Sequence, residues 1–490
     1  MDSLRRLCAP FLAPGFLALS LSLTTAATLN AASGDDPVAS FDSRRGELIG
    51  ASLPRLAALA GECKKSRLYA EADSLWKCVL VFDPDHRAAR KALRYYRNRG
   101  DEWYQSKSYH VPKNRSTQGL SAVRASIEQE LRAVREGVLS LLEEYGEQLG
   151  RERADAELAW LLRLLPEDGA VRAAAGEGRH GDEWLLTESI TALKHREAFP
   201  LLARACLRLA PEPLEGRIRA EERALGLPWN AAKKTEALRV IATTGAPEAR
   251  NAARVAHAVG DYFRNVLAGG SAPRADFTLY MLRGVEKDHM IDAWPGLDQA
   301  TRTGLRAADG GWLGRGNRLA EWSSNPARRV DGAARQTLGT LLMDSYGITG
   351  RQGWAWEGIG LYMVHELVGT RLTWFFDTHG YQPQTATGLW SRLQAPEADW
   401  FSVAAELFEA SGTPSLVFLL GRAINDMREQ DVLVSYILAA YLLEGHPKQT
   451  PLLLTRLGQG RQPVRVFEET LGYSIHTIEA RLHRWLLETR

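Results

Sequence analysis

Two short segments in the C-terminal half carry residues whose types and spacing could support metal chemistry. One is RQTLG, which begins at Arg335, and the other is WAWEGIGLY, which contains Glu357. A helix presents positions i and i+4 on one face, so a zinc site there needs two histidines and a carboxylate that activates water. The first segment offers Arg335, Gln336 and Gly339 instead. Glu357 is a carboxylate that could ligate a metal.

A literal His-Glu pair follows at His365 and Glu366. The residue four positions after His365 is Gly369, so this helix does not offer two histidine ligands. Glu357 precedes His365 by eight residues, which is about 12 Å along a helix axis and too far to share one ion. A surface or hydrogen-bonded histidine is the favoured interpretation.

Composition and motifs disfavour several other classes of function. The 490 residues are 45% hydrophobic and 24% charged, as in ordinary globular proteins. The formal net charge of +2 argues against nucleic-acid and anionic-membrane partners. No G-x-S-x-G elbow and no Walker loop occur. The Gly-rich stretch at 308–316 lacks the Lys-Ser/Thr of a phosphate loop and predicts a tight turn.

The two segments together resemble the gluzincin metallopeptidases, specifically the exported peptidase-MA-like proteins. Those proteins carry an HExxH helix and then a second helix that opens W-x-x-E-G-x-A-x-Y. Gly360 stands in place of the alanine of that second pattern. The residues that match it are Trp354, Glu357, Gly358 and Tyr362. The resemblance implies that Glu357 stands at the position of the third metal ligand.

The resemblance also implies that the metal centre is degenerate. Arg335 stands at the first histidine position, Gln336 at the general base and Gly339 at the second histidine. None of these side chains can perform the family's role, so we expect no zinc. We expect the Arg335 guanidinium to occupy the metal position and pair with Glu357, while Gln336 completes the hydrogen bonds. The alternative is that Arg335 points to solvent and Glu357 bonds within its own helix.

The elements that would position these residues change character along the chain. Strand-like runs, helical spacing and turn residues alternate before residue 328, and helical spacing dominates after it. Strands are predicted at 237–243, 276–282 and within 310–322, and helices at 246–267 and 290–294. We predict a mixed α/β subdomain over 233–327 and a helical subdomain over 328–490. The stretches that resemble the family's opening strand and helix and its C-terminal helices are 234–269 and 435–487.

The N-terminal half, over 45–227, is predicted to be helical. The segment LPRLAALAGECKKSRLYAEADSLWKCVLVFDPDH resembles one tetratricopeptide repeat, and an ordinary helical hairpin is the alternative. The predicted packing positions are Leu56, Leu59, Ala60, Ala72 and Trp76. The fold class is therefore α+β and mostly α, with a TPR-like helical part before a gluzincin-like domain.

Self-comparison shows a duplicated element within this helical part. Residues 83–103 match residues 165–184. The matched positions are 82 residues apart at the start of the element and 81 residues apart at its end. Both copies end in Gly-Asp-Glu-Trp, at Trp103 and at Trp184. We predict a helix–turn–Trp element in which each tryptophan docks the turn onto helices, with a binding role as the alternative.

The N-terminus predicts export. Residues 1–32 have a short basic region, an apolar core and small residues in the order of a cleaved signal peptide, and an uncleaved anchor is the alternative. The protein is then secreted or periplasmic. The mature chain keeps Cys63, Cys78 and Cys206, which we predict to be buried free thiols, with a Cys63–Cys78 disulfide left open.

These observations favour an exported pseudo-peptidase that is not an enzyme and acts in peptide or protein binding or in scaffolding. The cleft or the helical repeats would hold the partner, with Trp354, Trp356 and Tyr362 as candidate lining residues. No cofactor, no nucleic acid and no membrane contact beyond the signal peptide are expected. The alternative is an active zinc metallopeptidase whose non-standard ligands include His365 or His379.

Overall fold

The structure, a computed structural model, describes residues 36–235, 238–267, 277–307, 310–374, 388–395, 397–410 and 415–490. The described chain is mostly helical with a small mixed sheet, which confirms the α+β, mostly α class. It divides into two compact units, one ending at Gly150 and one running from Arg151 to Arg490. The division thus falls before the change of character predicted near residues 227–233. The predicted signal peptide lies outside the described residues.

The first unit is a helical hairpin followed by a short helix, a β-hairpin and a long helix. Its elements are α1 (Pro37–Lys65), α2 (Tyr69–Phe82), α3 (Arg87–Ala92), β1 (Tyr95–Arg97), β2 (Trp103–Gln105) and α4 (Leu120–Leu149). α1 packs against α2 and α4. Leu56, Ala60 and Ala72 are buried as predicted, and Leu59 and Trp76 are half-buried. Small residues at 60 and 72 let the two helices of the hairpin approach closely.

The second unit begins with helices and a hairpin and continues into a mixed sheet. Its first elements are α5 (Arg151–Leu164), α6 (Gly169–Ala174), β3 (Glu177–His180), β4 (Glu183–Leu186), α7 (Thr187–Leu209), β5 (Leu214–Glu215), α8 (Ala220–Ala224), β6 (Ala231–Lys234), β7 (Leu238–Ala242), α9 (Ala246–Val266), β8 (Phe277–Arg283), α10 (Lys287–Ala293), α11 (Gln299–Ala307), β9 (Gly311–Arg315) and β10 (Arg318–Ser323).

The remainder of this unit is helical. Its elements are α12 (Pro326–Tyr346), α13 (Gly353–Val368), α14 (Leu389–Gln394), α15 (Trp400–Glu409), α16 (Leu416–Leu419), α17 (Glu429–Ala440), α18 (Thr450–Gly458), α19 (Pro463–Leu471) and α20 (Ile475–Thr489). A π-helical turn at Tyr441–Gly445 follows α17. No helix in the described ranges combines the length and the apolar character that a membrane span needs.

The six-stranded sheet has the order β5-β6-β7-β8-β10-β9. β7 pairs parallel with β8 and β8 parallel with β10, while the other neighbours are antiparallel. Every residue of β7 is buried, as expected for a strand in the interior of a parallel array. β7, β8, α9, α10 and the β9–β10 pair confirm the strands and helices predicted over 237–322, apart from the residues outside the described ranges.

Local sequence signals fix the helices that carry the candidate centre. The Asn325 side chain accepts from the Ala327 N–H at 2.9 Å, which caps the start of α12. α12 and α13 each end at a glycine in the left-handed region, Gly347 with φ 72° and Gly369 with φ 76°. Gly358 lets α13 approach α17, because a Cβ there would lie 2.1 Å from the Ser435 carbonyl oxygen. These contacts hold α12 and α13 in a buried position.

Both copies of the duplicated element fold as a helix, a short helix and a β-hairpin. Arg90 Nε donates to the Pro84 carbonyl at 2.6 Å, and Arg172 Nε donates to the Pro166 carbonyl at the same distance. Each arginine also lies over the tryptophan of its own copy. The one-residue change in spacing lies in the hairpin loop, which is longer between β1 and β2 than between β3 and β4. The hairpins themselves were not predicted.

Cys63, Cys78 and Cys206, the cysteines of the described residues, form no disulfide, so the Cys63–Cys78 pairing is absent from the structure. Cys63 and Cys206 are buried as predicted, while Cys78 is half-buried. Burial raises the pKa of Cys63 and of Cys78, so both thiols resist deprotonation.

Candidate functional site

Arg335 and Glu357 form a buried ion pair between α12 and α13. Arg335 Nη2 donates to Glu357 Oε2 at 3.1 Å, and the two side chains are 1% and 0% exposed. Arg335 also donates through Nη1 to the Trp356 carbonyl and through Nε to the Thr373 carbonyl, each at 3.2 Å. Burial lowers the pKa of Arg335, and the charge of Glu357 opposes that shift. The predicted pair is present, and the alternative of a solvent-exposed Arg335 is wrong.

Gly360 makes room for the guanidinium of this pair. A Cβ atom at Gly360 would lie 1.2 Å from Arg335 Nη1 and 2.4 Å from Cζ. An alanine, which the family pattern has at this position, is therefore incompatible with Arg335 as it stands. The two departures from the pattern, Arg335 and Gly360, fit each other sterically.

The indole of Trp356 lies beside Gly339, where the resemblance places the second histidine. A Cβ at Gly339 would lie 2.6 Å from Trp356 Cζ2 and 2.9 Å from Cη2. Trp356 is half-buried and packs against the core of the helical part. A histidine at 339 would require this ring to move, so the missing side chain is replaced by an aromatic ring from the neighbouring helix.

Asp331 fixes the chain segment that receives Arg335. It lies one turn before Arg335 on α12 and is 0% exposed. Its Oδ1 accepts from the Thr373 N–H at 2.8 Å, and its Oδ2 accepts from the Leu372 N–H at 3.0 Å and the Thr370 hydroxyl at 2.6 Å. These bonds anchor the segment after α13 whose Thr373 carbonyl accepts from Arg335. Asp331 was not predicted as a site residue, although its i−4 spacing from Arg335 places both residues on one face of α12.

Gln336 bonds to Glu321 of β10, so the prediction that it completes the hydrogen bonds of the ion pair is wrong. Gln336 Nε2 donates to Glu321 Oε2 at 3.3 Å. The Glu321 carboxyl lies against Gly332, where a Cβ would be 1.8 Å from Oε1. Burial, reinforced by the charge of Asp331, raises the pKa of Glu321 well above its usual range. Glu321 was not predicted as a site residue.

The protonation state of Glu321 explains two unpartnered atoms. Among the described residues, Glu321 Oε1 and Gln336 Oε1 have no hydrogen-bond partner. A neutral Glu321 is a carboxylic acid with one O–H donor, and Gln336 Oε1 is an acceptor. A cyclic acid–amide pair would satisfy both side chains, whereas an ionised Glu321 would leave a charge in a buried site.

We therefore expect Glu321→Gln to raise the free energy of unfolding at neutral pH by about 1–3 kcal/mol. In the unfolded chain Glu321 has its ordinary pKa of about 4.5, whereas in the folded protein its pKa is raised. Above pH 4.5 the unfolded chain therefore loses a proton that the folded protein keeps. The free energy of unfolding of the wild type thus falls as pH rises from about 4.5 toward the folded pKa, and the glutamine variant lacks this loss. Urea unfolding of both proteins from pH 5 to pH 8 should show a difference that grows with pH.

The matched control for this prediction is Glu222→Gln. Glu222 is also buried, but its Oε1 accepts from Arg239 Nη1 at 3.0 Å, and the side chains are 0% and 7% exposed. Loss of that charge is expected to destabilise the protein. Equal destabilisation by both variants would contradict a neutral Glu321.

Two of the predicted cleft-lining residues lie in the core. Trp354 is fully buried, and Tyr362 is 2% exposed. The Tyr362 hydroxyl donates to Glu444 Oε1 at 2.7 Å, and Glu444 Oε2 accepts from Arg196 Nη2 at 3.0 Å. Burial raises the pKa of Tyr362 well above its usual value. Trp356 is the one of the three with substantial exposed surface.

His365 contacts Tyr436, which is not part of the ion pair. Its Nδ1 is 3.3 Å from the Tyr436 hydroxyl, and burial lowers the pKa of His365 to about 4. No group of three or more His, Cys, Asp or Glu side chains suited to a metal ion occurs among the described residues. His379, the other histidine of the alternative ligand set, lies outside the described residues.

Comparison of the chain with protein-family models, with curated proteins and with solved structures gives no match. The resemblance to gluzincins therefore rests on the sequence motifs alone.

Proposed function

We propose that this chain is an exported, catalytically degenerate gluzincin-like protein that binds a peptide or protein partner and does not cleave it. The observation that carries the proposal is the buried Arg335–Glu357 pair. It puts a cation of the protein itself beside the carboxylate that would ligate zinc. A zincin needs a metal with an open coordination position and a carboxylate base. Arg335 and Gln336 supply neither.

The order of elements in the second unit supports a gluzincin-like frame. β7 and α9 stand where the resemblance implies the family's opening strand and helix, and the β9–β10 hairpin leads into α12 and α13. The glycine of the W-x-x-E-G pattern, Gly358, has a packing role against α17. In the first unit, the α1–α2 hairpin with buried Leu56, Ala60 and Ala72 supports a TPR-like packing unit.

The free edge of β9 supports binding of an extended peptide. β9 is the terminal strand of the sheet, next to the strand that carries Glu321. A two-residue turn at Gly316 and Asn317 makes Arg315 and Arg318 a hydrogen-bonded pair. Because the direction of the backbone N–H alternates along a strand, the N–H of the preceding residue, Gly314, points away from β10 to the free edge. An extended partner can add to the sheet by bonding to such groups.

The test combines metal content with binding and cleavage of fluorescein-labelled casein as an unfolded-chain probe. After zinc loading and desalting, we expect far less than one zinc per chain, casein binding by fluorescence anisotropy, and no cleavage products. Gly314→Pro removes the edge N–H and is expected to weaken casein binding about fivefold. Stoichiometric zinc with cleavage would overturn the assignment as a degenerate site, and absence of casein binding would overturn the peptide-binding role.

A reconstituted site provides the positive control for zinc loading. Arg335→His, Gln336→Glu and Gly339→His restore the family's residues beside Glu357. Because the Gly339 Cβ would clash with Trp356, the variant also carries Trp356→Ala. We expect this variant to retain about one zinc per chain and the same variant with Glu357→Gln to retain less.

A further inference from the structure

The first copy of the duplicated element, together with the segment that follows it, carries a positive charge that the second copy lacks. Residues 83–115 contain nine Lys and Arg against four acidic residues, whereas the matched residues 165–196 contain four against six. The local excess of five positive charges exceeds the net charge of +2 of the whole chain, so the rest of the chain is net negative. The charge is therefore concentrated on this element and is not a property of the composition.

Most of these basic side chains are exposed and have no acidic partner among the residues the structure describes. Lys91, Arg94, Arg99 and Lys107 belong to this group, and none of them forms an ion pair there. The Ser106 N–H donates to the Arg94 carbonyl at 3.0 Å, so the backbone next to Lys107 lies beside Arg94. The fold thus places Arg94, before β1, and Lys107, after β2, at the same end of the hairpin.

Two tyrosines lie on the open face of the same hairpin. Tyr96 and Tyr104 are directly opposite in register, their ring centroids are 6.1 Å apart, and each is 52% exposed. In the second copy the matching positions are Gly178 and Leu185. That face is buried there, with Leu185 8% exposed and a Cβ at Gly178 only 2.9 Å from Ile190 Cδ1.

The two copies have therefore diverged in one specific way. The second copy uses this face as part of the core, whereas the first copy exposes it with two large aromatic rings, on a hairpin that has Arg99 in its loop and Arg94 and Lys107 close to its strand ends. Packing accounts for Trp103, which lies under Arg90 and Arg97 on the other face. It does not account for Tyr96 and Tyr104, because exposed tyrosine rings bury little apolar area.

We propose that the β1–β2 hairpin of the first unit binds an anionic polysaccharide. Lys and Arg attract the carboxylate or sulfate groups, and the rings of Tyr96 and Tyr104 pack against the C–H faces of the sugars. The Ser106 and Ser108 hydroxyls, 2.9 Å apart just after β2, add hydroxyl-binding groups. The two rings are tilted by 40° and form no parallel slot for a nucleobase. The predicted export also places the protein among polysaccharides.

The test measures binding of a short fluorescent heparin oligosaccharide to the full mature chain at about physiological ionic strength. The main variant carries Lys91→Gln, Arg94→Gln, Arg99→Gln and Lys107→Gln. We expect a loss of affinity of at least about tenfold. The slope of the logarithm of the binding constant against the logarithm of the salt concentration should fall by roughly one for each removed cation that contacts the oligosaccharide. Tyr96→Ser with Tyr104→Ser is expected to weaken binding about tenfold with little change in that slope.

A matched control separates this surface from net charge alone. It neutralises four exposed cations of the second unit, and its substitutions are Arg204→Gln, Arg208→Gln, Lys448→Gln and Arg461→Gln. The control is expected to bind heparin within about twofold of wild type. Circular dichroism and thermal unfolding establish that every variant is folded.

Three results would overturn the proposal. The first is no heparin binding by wild type, and the second is equal loss in the hairpin variant and in the control. The third is tighter binding of a single-stranded oligothymidine or of phosphatidylglycerol vesicles than of heparin, which would assign the surface to a nucleic acid or to a membrane. None of these outcomes depends on whether the second unit binds zinc or casein.

Discussion

Replacing Glu357 with alanine is expected to lower the free energy of unfolding of the second unit by about 3–5 kcal/mol. The substitution leaves the Arg335 guanidinium 1% exposed and without its carboxylate. Water cannot replace that partner without entering the packed interior between α12 and α13, and the carbonyls of Trp356 and Thr373 are neutral acceptors. Denaturant unfolding at pH 7, followed by tryptophan fluorescence, measures the loss.

Arg335→Leu together with Glu357→Ala is expected to recover most of this loss. The double variant removes both charges, so no desolvation cost of a buried charge remains, although Leu and Ala fill less of the space than Arg and Glu do. Recovery is incomplete because the two carbonyls that Arg335 served lose a donor, at about 1 kcal/mol each. A double variant no more stable than Glu357→Ala would show that the unpaired charge of Arg335 does not cause the loss of stability in Glu357→Ala.

An exposed pair of the same chemistry is the control. Arg392 Nη2 and Glu406 Oε2 are 2.7 Å apart, but their side chains are 49% and 56% exposed. Glu406→Ala is expected to cost less than about 1 kcal/mol, since solvent screens both charges. A loss as large as that of Glu357→Ala would mean that burial does not explain the effect.

The ion pair could be predicted from the sequence because two kinds of information agreed. The two-helix pattern that the chain resembles aligns Arg335 with a position that faces Glu357, and a buried carboxylate without a metal requires a cation. Several strands and helices of the mixed sheet were also predictable, because an interior strand such as β7 is apolar apart from Arg239.

The partner of Gln336 could not be predicted, because it depends on tertiary approach. Glu321 lies on a strand that looks ordinary in sequence, and its carboxyl reaches Gln336 since Gly332 leaves the space. Nothing in the spacing of residues 321, 332 and 336 signals this contact. The packing roles of the glycines could not be predicted for the same reason. The sequence shows that a side chain is absent, but it does not show which group fills the space.

The exposed face of the first hairpin illustrates a different limit. The repeat of Gly-Asp-Glu-Trp indicated two copies of one element, and both copies share the arginine-to-carbonyl bond at Arg90 and Arg172. Similarity between copies did not reveal that one face is buried in the second and open in the first. That difference depends on the chain beyond each hairpin, since α7 begins directly after β4 whereas fourteen residues separate β2 from α4.

Gly360→Ala is the second change with a large expected effect, at about 3 kcal/mol or more of lost stability. The new methyl group would lie 1.2 Å from Arg335 Nη1, so the guanidinium has to leave its place or the helices have to separate. Either movement weakens the bond to Glu357. In a helix without such a contact, the same substitution stabilises the protein by about 0.5–1 kcal/mol. Urea unfolding of the two proteins gives the sign directly.

The background with Arg335→Leu and Glu357→Ala isolates the cause. Once the guanidinium is gone, the steric conflict at Gly360 is reduced and Gly360→Ala is expected to become neutral or stabilising. Gly50→Ala in α1 is the control for helix propensity, because nothing lies within 4 Å of a Cβ at Gly50. The expected pattern is a sign reversal of Gly360→Ala between the two backgrounds, with Gly50→Ala stabilising in both. A similar loss in both backgrounds would mean that α13 packing excludes the methyl group irrespective of Arg335. The arginine and the glycine would then be independent departures from the family pattern, whereas the reversal would show that each substitution makes the other structurally possible.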